Sequence, residues 1–292
     1  MAREPWVLEL LRMSTDLRRK QQLVFGRIVN SVKTRTPKPL YRCVRFGWQT
    51  LTSTLDHVGF RRLAWRWRLP TEVGHWDTWL STRGMEDKED FARRLAPDLP
   101  LQEHLDKLLP KSDGRTYRVL DVGAGPLTTV GKTSNGSRID LHCIDPLASV
   151  YDSLLDKNGI KPPVRTKFGE AEQVGEMYEA NSFDLVHAAN SLDHAHDPVA
   201  AIKAAARLVR PGGHVFLEHI INEGDREHYG GLHQWNFGVE GGSFTIRSRS
   251  GQVTDMAKEL SDIATVTHSI YDIDDPRTGG TLTVLNVQIR RN

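Results

Sequence analysis

The stretch Val119-Leu120-Asp121-Val122-Gly123-Ala124-Gly125-Pro126 decides the fold. A short apolar strand runs straight into a glycine-bearing turn that must open the next element. Gly123 and Gly125 lack a Cβ and tolerate unusual φ/ψ, so backbone here can approach a ligand closely. In an open parallel sheet such a turn sits at the carboxyl end of a strand, where ligands bind. Downstream, strand and helix patterns alternate. Strands are expected at Arg118–Val122, Ile139–Ile144, Val164–Phe168, Phe183–Ala189, His214–His219, Ile263–Ser269 and Thr281–Ile289, and helices at Ala148–Asp156 and Pro198–Val209. Alternation of this kind predicts an α/β fold, a Rossmann-like parallel sheet with helices on both faces. The last two strands are joined by a loop short enough for an antiparallel edge strand.

The turn alone points to a nucleotide-like ligand. A dinucleotide site wants Gly-x-Gly-x-x-Gly/Ala, and the third small position here is Thr128. Gly125 to Gly131-Lys132-Thr133 has five intervening residues, one too many for a phosphate-binding P-loop. The next strand ends on Asp145-Pro146, whose carboxylate can accept ribose hydroxyls. The third ends at Gly169-Glu170-Ala171-Glu172, where a carboxylate can accept from an adenine amino group. The fourth ends at Asn190-Ser191-Leu192-Asp193-His194.

In this order the motifs resemble those of the class I S-adenosylmethionine-dependent methyltransferases. They are Asp-x-Gly-x-Gly at Asp121–Gly125, the acid Asp145, Gly169–Glu172, Phe-Asp-Leu-Val at Phe183–Val186, Asp193-His194-x-x-Asp-Pro ending at Pro198, and Leu208-Val209-Arg210-Pro211-Gly212-Gly213. The resemblance covers roughly residues 117–221 closely. It implies S-adenosylmethionine as cofactor, with Gly123, Ala124 and Gly125 cradling its methionine part and Asp121 meeting its amino group directly or through water. Asp145, with Pro146 beside it, would hold the ribose, Glu170 and Ala171 the adenine, and Asn190 would line the methyl-transfer face. Leu127 stands where the family usually has a third glycine.

A hydroxyl acceptor needs its proton removed, and a positioned histidine suits that task near neutral pH. His194, after the fourth strand, is the catalytic candidate, with Asp193 as a residue that orients it. The loop from Asn222 to Phe237 carries Tyr229, His233 and Trp235 as candidate contacts to the acceptor. Gly230, Gly231, Gly241 and Gly242 would let it close as a lid, the alternative being an ordinary surface loop docked through Trp235 and Phe237. His219, His228 and His233, with Glu218 or Asp225, lack the regular spacing of a metal motif, and no metal is expected.

Net charge is +2, yet residues 1–69 hold fifteen Lys or Arg against four Asp or Glu, a net +11. The remaining chain balances this at −9. Three zones follow: a basic helical N-terminal extension over 1–70, a helical cap or linker over 71–116, and the cofactor-binding domain over 117–292. The arm, with Trp48, Trp65 and Trp67, reads as a cap docked on the acidic body, as a peripheral membrane contact, or, third, as a contact to phosphate or nucleic acid. No nucleic-acid motif is visible. Two cysteines, Cys43 and Cys143, are too few for a disulfide framework. With no apolar run of about eighteen residues and no secretory pattern, the chain reads as cytoplasmic or peripheral at the inner membrane surface. The function expected is methylation of a small-molecule acceptor at a hydroxyl, on a sugar, polyketide-like or lipid-linked metabolite. The rivals are a non-catalytic S-adenosylmethionine-binding scaffold and a nicotinamide-dependent oxidoreductase; the oligomeric state is not legible.

Overall fold

The computed structural model describes residues 47–55, 60–110, 115–275 and 278–292. The apolar stripes expected before residue 47, and Cys43, lie outside these residues. Residues 47–55 are helical, and four helices of eight to twelve residues follow before and within the sheet region: α1 (Arg61–Arg68), α2 (Pro70–Ser81), α3 (Lys88–Leu95) and α4 (Ala148–Lys157). A further helix, α5, spans Pro198–Leu208. Their starts follow from side chains. Pro70 occupies the first turn of α2, where a missing N–H costs nothing. Asp87 and Asp197 cap α3 and α5 by accepting the backbone N–H of Asp90 and Ala200.

Among the described residues twelve strands are formed: β1 (Arg118–Val122), β2 (Thr133–Ser134), β3 (Ser137–Arg138), β4 (Asp140–Asp145), β5 (Lys167–Phe168), β6 (Phe183–Ala189), β7 (Val209–Ile220), β8 (Trp235–Glu240), β9 (Ser243–Ser248), β10 (Val253–Asp255), β11 (Ala264–Asp274) and β12 (Thr281–Arg291). Seven make the main sheet in the order β11-β12-β7-β6-β1-β4-β5. The five on the β5 side run parallel; β12 is antiparallel to both β7 and β11. The architecture is the Rossmann-like one expected, with its antiparallel edge. The order reverses beside β1, so the ends of β1, β4 and β6 flank the crevice where such sheets take ligands.

Of the two readings of the loop from Asn222 to Phe237, the one docked through Trp235 and Phe237 fits its end: β8 and β9 form a hairpin whose turn is Gly241-Gly242, both at positive φ, and β10 completes a three-stranded sheet. Phe237, Phe244 and Ile246 alternate inward and join the core that also holds Leu120, Val186, Val215 and Leu285. Burying three such side chains is worth several kcal/mol, about 1.5–3 each, which anchors the segment.

The segment before the sheet docks on its body. Trp65, Leu69, Val73, Trp79 and Leu80 pack with Leu147, Val150, Tyr151, Leu154 and Leu155 in one apolar cluster. Helices α1 and α2 are thereby held on α4, over the carboxyl ends of β1 and β4. Among the described residues no helix is long and apolar enough to cross a membrane.

Candidate active site

The cleft is built on the turn after β1. Gly123 and Gly125 adopt φ of +72° and +63°, which only glycine takes without strain. The N–H groups of Gly123 and Ala124 both donate to the carbonyl of Ile144, fastening the turn to β4. A Cβ on Gly123 would lie 2.3 Å from that of Ser191, so the close approach of the β1 and β6 ends requires glycine. A Cβ on Gly125 would meet the Trp76 ring at 3.1 Å.

Asp145 projects from the end of β4. Its carboxylate accepts the N–H of Gly125 at 3.2 Å and of Leu147 at 2.8 Å. Burial raises its pKa to about 6 against those two bonds. The cleft it faces encloses about 670 Å³, part of it open to solvent, and is also walled by Gly123, Pro146, Ala171, Asn190 and His194. Trp65, Glu72 and Trp76 close it from α1 and α2. A turn without Cβ, a fixed carboxylate for hydroxyl groups and apolar walls fit an adenosyl cofactor.

Several residues stand elsewhere than the sequence reading put them. Asp121 is not on the cleft wall. It points the other way along β1, with its carboxylate 2.5 Å from Thr128 Oγ1, which donates to it, and 2.8 Å from His187 Nδ1. Ala124 and Gly125 are buried and contribute as the underside of the turn rather than as its exposed lining. Glu170 is turned away as well: its carboxylate meets Arg62 at 2.8 Å and Arg66 at 3.4 Å, both from α1. Burial raises the pKa of Glu170, but His196 at 3.8 Å and the two guanidinium charges outweigh it and lower it. The short 3-10 turn at Ala171–Gln173 rotates the chain, so Glu172 lines the cleft in its place. Asn190 lines the cleft at φ +44°, its Oδ1 accepting the N–H of Ile220 and its own N–H donating to the Glu218 carbonyl.

His194 lies on the 3-10 turn Leu192–His194 at the mouth of β6. Its ring is 4.4 Å from that of His233, with Nε2 at 3.1 Å from His233 Nδ1. That Nδ1 is in turn 2.8 Å from Asp193 Oδ2, which is 3.6 Å from His194 Nε2. Burial pushes the Asp193 carboxyl up, but His194, His233 and His219 outweigh it and the group sits far below the usual carboxylate range. His233 is raised: burial lowers it, and its bond to Asp193 and that charge win. His219, stacked on Phe237, is pushed down to about 4 by burial and stays neutral near pH 7. Adjacent side chains on a chain often diverge, yet here Asp193 reaches His194 by way of a histidine 39 residues further on.

The remaining candidates divide. Tyr229 is half-buried, its hydroxyl donating to Asp225 and accepting from Asn236, and it does not line the cleft. Trp235 docks on the body, its indole N–H donating to the Ala195 carbonyl, and lines an adjacent pocket. Trp65 and Trp76, in the segment read as arm and cap, are walls of the cleft, while Trp79, weighed with Trp76 for the pocket or the core, packs in the core. Among the described residues two sets could hold a divalent cation, Asp193 with His194 and His233, and Glu170 with Glu172 and His196. Neither is the histidine set weighed from the sequence.

The profile of a family described as a methyltransferase domain matches residues 91–258, more than half of the chain. A ubiquinone biosynthesis O-methyltransferase of Ralstonia nicotianae is 48% identical over 104 residues, 35% of this chain and 43% of that protein. One from Xanthomonas oryzae is 33% identical over 119 residues, 40% and 48% of the two chains. The chain spans less than half the length of these curated relatives. Among solved structures, an S-adenosylmethionine-dependent methyltransferase of Methanosarcina mazei is 18% identical, with TM-score 0.40, covering 66% of this chain and 99% of that one. From the glycine turn, the acid at the end of β4 and the family match together, the chain belongs to the methyltransferase domain family, in its class I S-adenosylmethionine-dependent branch.

Proposed function

We propose that this protein methylates a hydroxyl oxygen of a small-molecule acceptor, an alcohol or phenol on a sugar, polyketide-like or lipid-linked metabolite, with His194 taking the hydroxyl proton. The observation that carries the reading is His194 on the cleft wall with a buried, ionised Asp193 at 3.6 Å and His233 between them. The names of the Ralstonia and Xanthomonas relatives support oxygen as the attacked atom, over the shared segment only.

S-adenosylmethionine supplies, when bound, a methyl group on a positively charged sulfur. Asp145 holds the ribose, and Gly123 lets the backbone come close without a clashing Cβ. Trp65 and Trp76 cover the cleft and keep water from competing with the acceptor. Methyl transfer needs chiefly alignment, and orientation alone can supply much of the barrier reduction. As the acceptor oxygen forms its new bond, its proton passes to the His194 imidazole. The positive charge gained there lies beside Asp193, whose carboxylate is already ionised. His233 keeps Asp193 and His194 in register. The test is turnover against cofactor affinity in His194→Ala. Loss of turnover with S-adenosylhomocysteine binding intact supports the assignment; unchanged turnover places the base elsewhere.

A further inference from the structure

Helix α1 presents two basic faces with different fates. Arg62 and Arg66 end on Glu170. Arg61, Trp65 and Arg68, at i, i+4 and i+7, line a second pocket of about 790 Å³ together with Trp235, Ser248 and Arg249. None of its lining residues is Asp or Glu. Several other guanidinium groups end on carboxylates: Arg115 and Arg210 on Asp184, Arg226 on Asp275, Arg247 on Asp225. Among the described residues, Arg61 instead lies 5.2 Å over the Trp235 ring and Arg249 donates to Ser53 Oγ at 2.6 Å, neither meeting an acid. Like charges gathered in one concavity repel, and the arrangement is relieved by an anion entering it. Guanidinium groups are the donors best matched to phosphate oxygens.

The pocket adjoins the methyl-transfer cleft. Trp65 and Ala195 line both. The Trp65 indole N–H donates to the His194 carbonyl, and that of Trp235 to the Ala195 carbonyl, so the turn is pinned between two indoles. His194 faces the cleft on one side of Ala195 and His196 the second pocket on the other.

We propose that this pocket is the anion subsite of the acceptor, binding a phosphate or diphosphate group carried by the molecule whose hydroxyl reaches His194. The proposal rests on the methyl-transfer reading above and adds the acceptor's chemical class. The phosphate has two sources, a soluble phosphorylated metabolite or a lipid headgroup, and both present the same oxygens to Arg61 and Arg249.

The test is calorimetry of inorganic pyrophosphate on the full chain preloaded with S-adenosylhomocysteine. Binding is expected, weakened at least about tenfold by Arg61→Gln and by Arg249→Gln, since each removes a charge-assisted donor. Arg62→Gln removes the same charge from the other face of α1 and is expected to change affinity less than about twofold. Absence of pyrophosphate binding with normal S-adenosylhomocysteine affinity overturns the proposal and leaves methyl transfer standing. Equal weakening by all three variants also overturns it, by showing diffuse attraction without a site. Failure of S-adenosylhomocysteine itself to bind defeats the underlying reading instead. Sedimentation with phosphatidylcholine vesicles containing phosphatidic acid separates the sources. Pelleting that Arg61→Gln abolishes assigns a lipid headgroup, and protein left in the supernatant assigns a soluble phosphate.

Discussion

The two halves of the cleft are built differently. On the cofactor side, the turn after β1, Asp145 and Ala171 come from consecutive strand ends, and backbone does much of the holding. On the acceptor side, His194 depends on His233, and Trp65 meets the turn at His194 from 129 residues away in the chain. Short-range geometry makes the first half rigid and local. The second is assembled only when the N-terminal helices and the β8–β9 hairpin dock. Cofactor binding and turnover are therefore separable by mutation.

The largest effect expected is at Gly123. Valine there forces positive φ on a β-branched residue and drives a Cβ into Ser191, strain of several kcal/mol, at least about 3. S-adenosylhomocysteine binding should become undetectable by calorimetry; retention of wild-type affinity would show that the turn is not the cradle. On the acceptor side, His194→Ala should lower kcat by about 10²–10⁴. Its S-adenosylhomocysteine affinity should stay within about twofold, and a matching loss of affinity would merge the halves. His233→Gln should lower kcat less, by about tenfold, with KM for the cofactor unmoved, because it acts through His194.

Asp145 sharpens the contrast through pH. Its carboxyl, raised by burial to about 6, is ionised above that pH and is then the acceptor that the proposal assigns to the ribose hydroxyls. Below it the neutral acid loses an acceptor, so S-adenosylhomocysteine affinity should fall by up to about tenfold between pH 6 and pH 5. Asp145→Asn should bind more weakly at pH 7 and show a flatter profile. A wild-type affinity constant over that range would remove Asp145 from the site. The smallest effect concerns the clasp between α1 and the body. Arg62 is 44% exposed, so its pair with Glu170 is screened. Arg62→Gln should lower Tm by no more than about 4 °C in a thermal melt.

The parallel core was legible because each strand end carries its own signature within a few residues: Gly123 and Gly125, Asp145, Gly169. The side a residue faces was less so. Asp121 and Glu170 were both assigned to the cofactor, but strand alternation sends Asp121 under the sheet end and the 3-10 turn after β5 gives Glu170 to α1. The β8–β9 hairpin carried a readable mark, Gly241-Gly242 between alternating apolar residues, although the segment's polar aromatic loop reads as a lid or as a docked surface loop. The His194–His233–Asp193 contact had no local mark, since nothing in the spacing of His233 fixes its distance from β6.

The central claim is that an adenosyl group sits at the carboxyl ends of β1 and β4 with its sulfur side toward Asn190 and His194. A crystal structure with S-adenosylhomocysteine bound tests it most directly. The account predicts ribose hydroxyls on Asp145 and the sulfur facing His194. A ligand held away from Asp145, or turned so that His194 lies behind the purine, would contradict it.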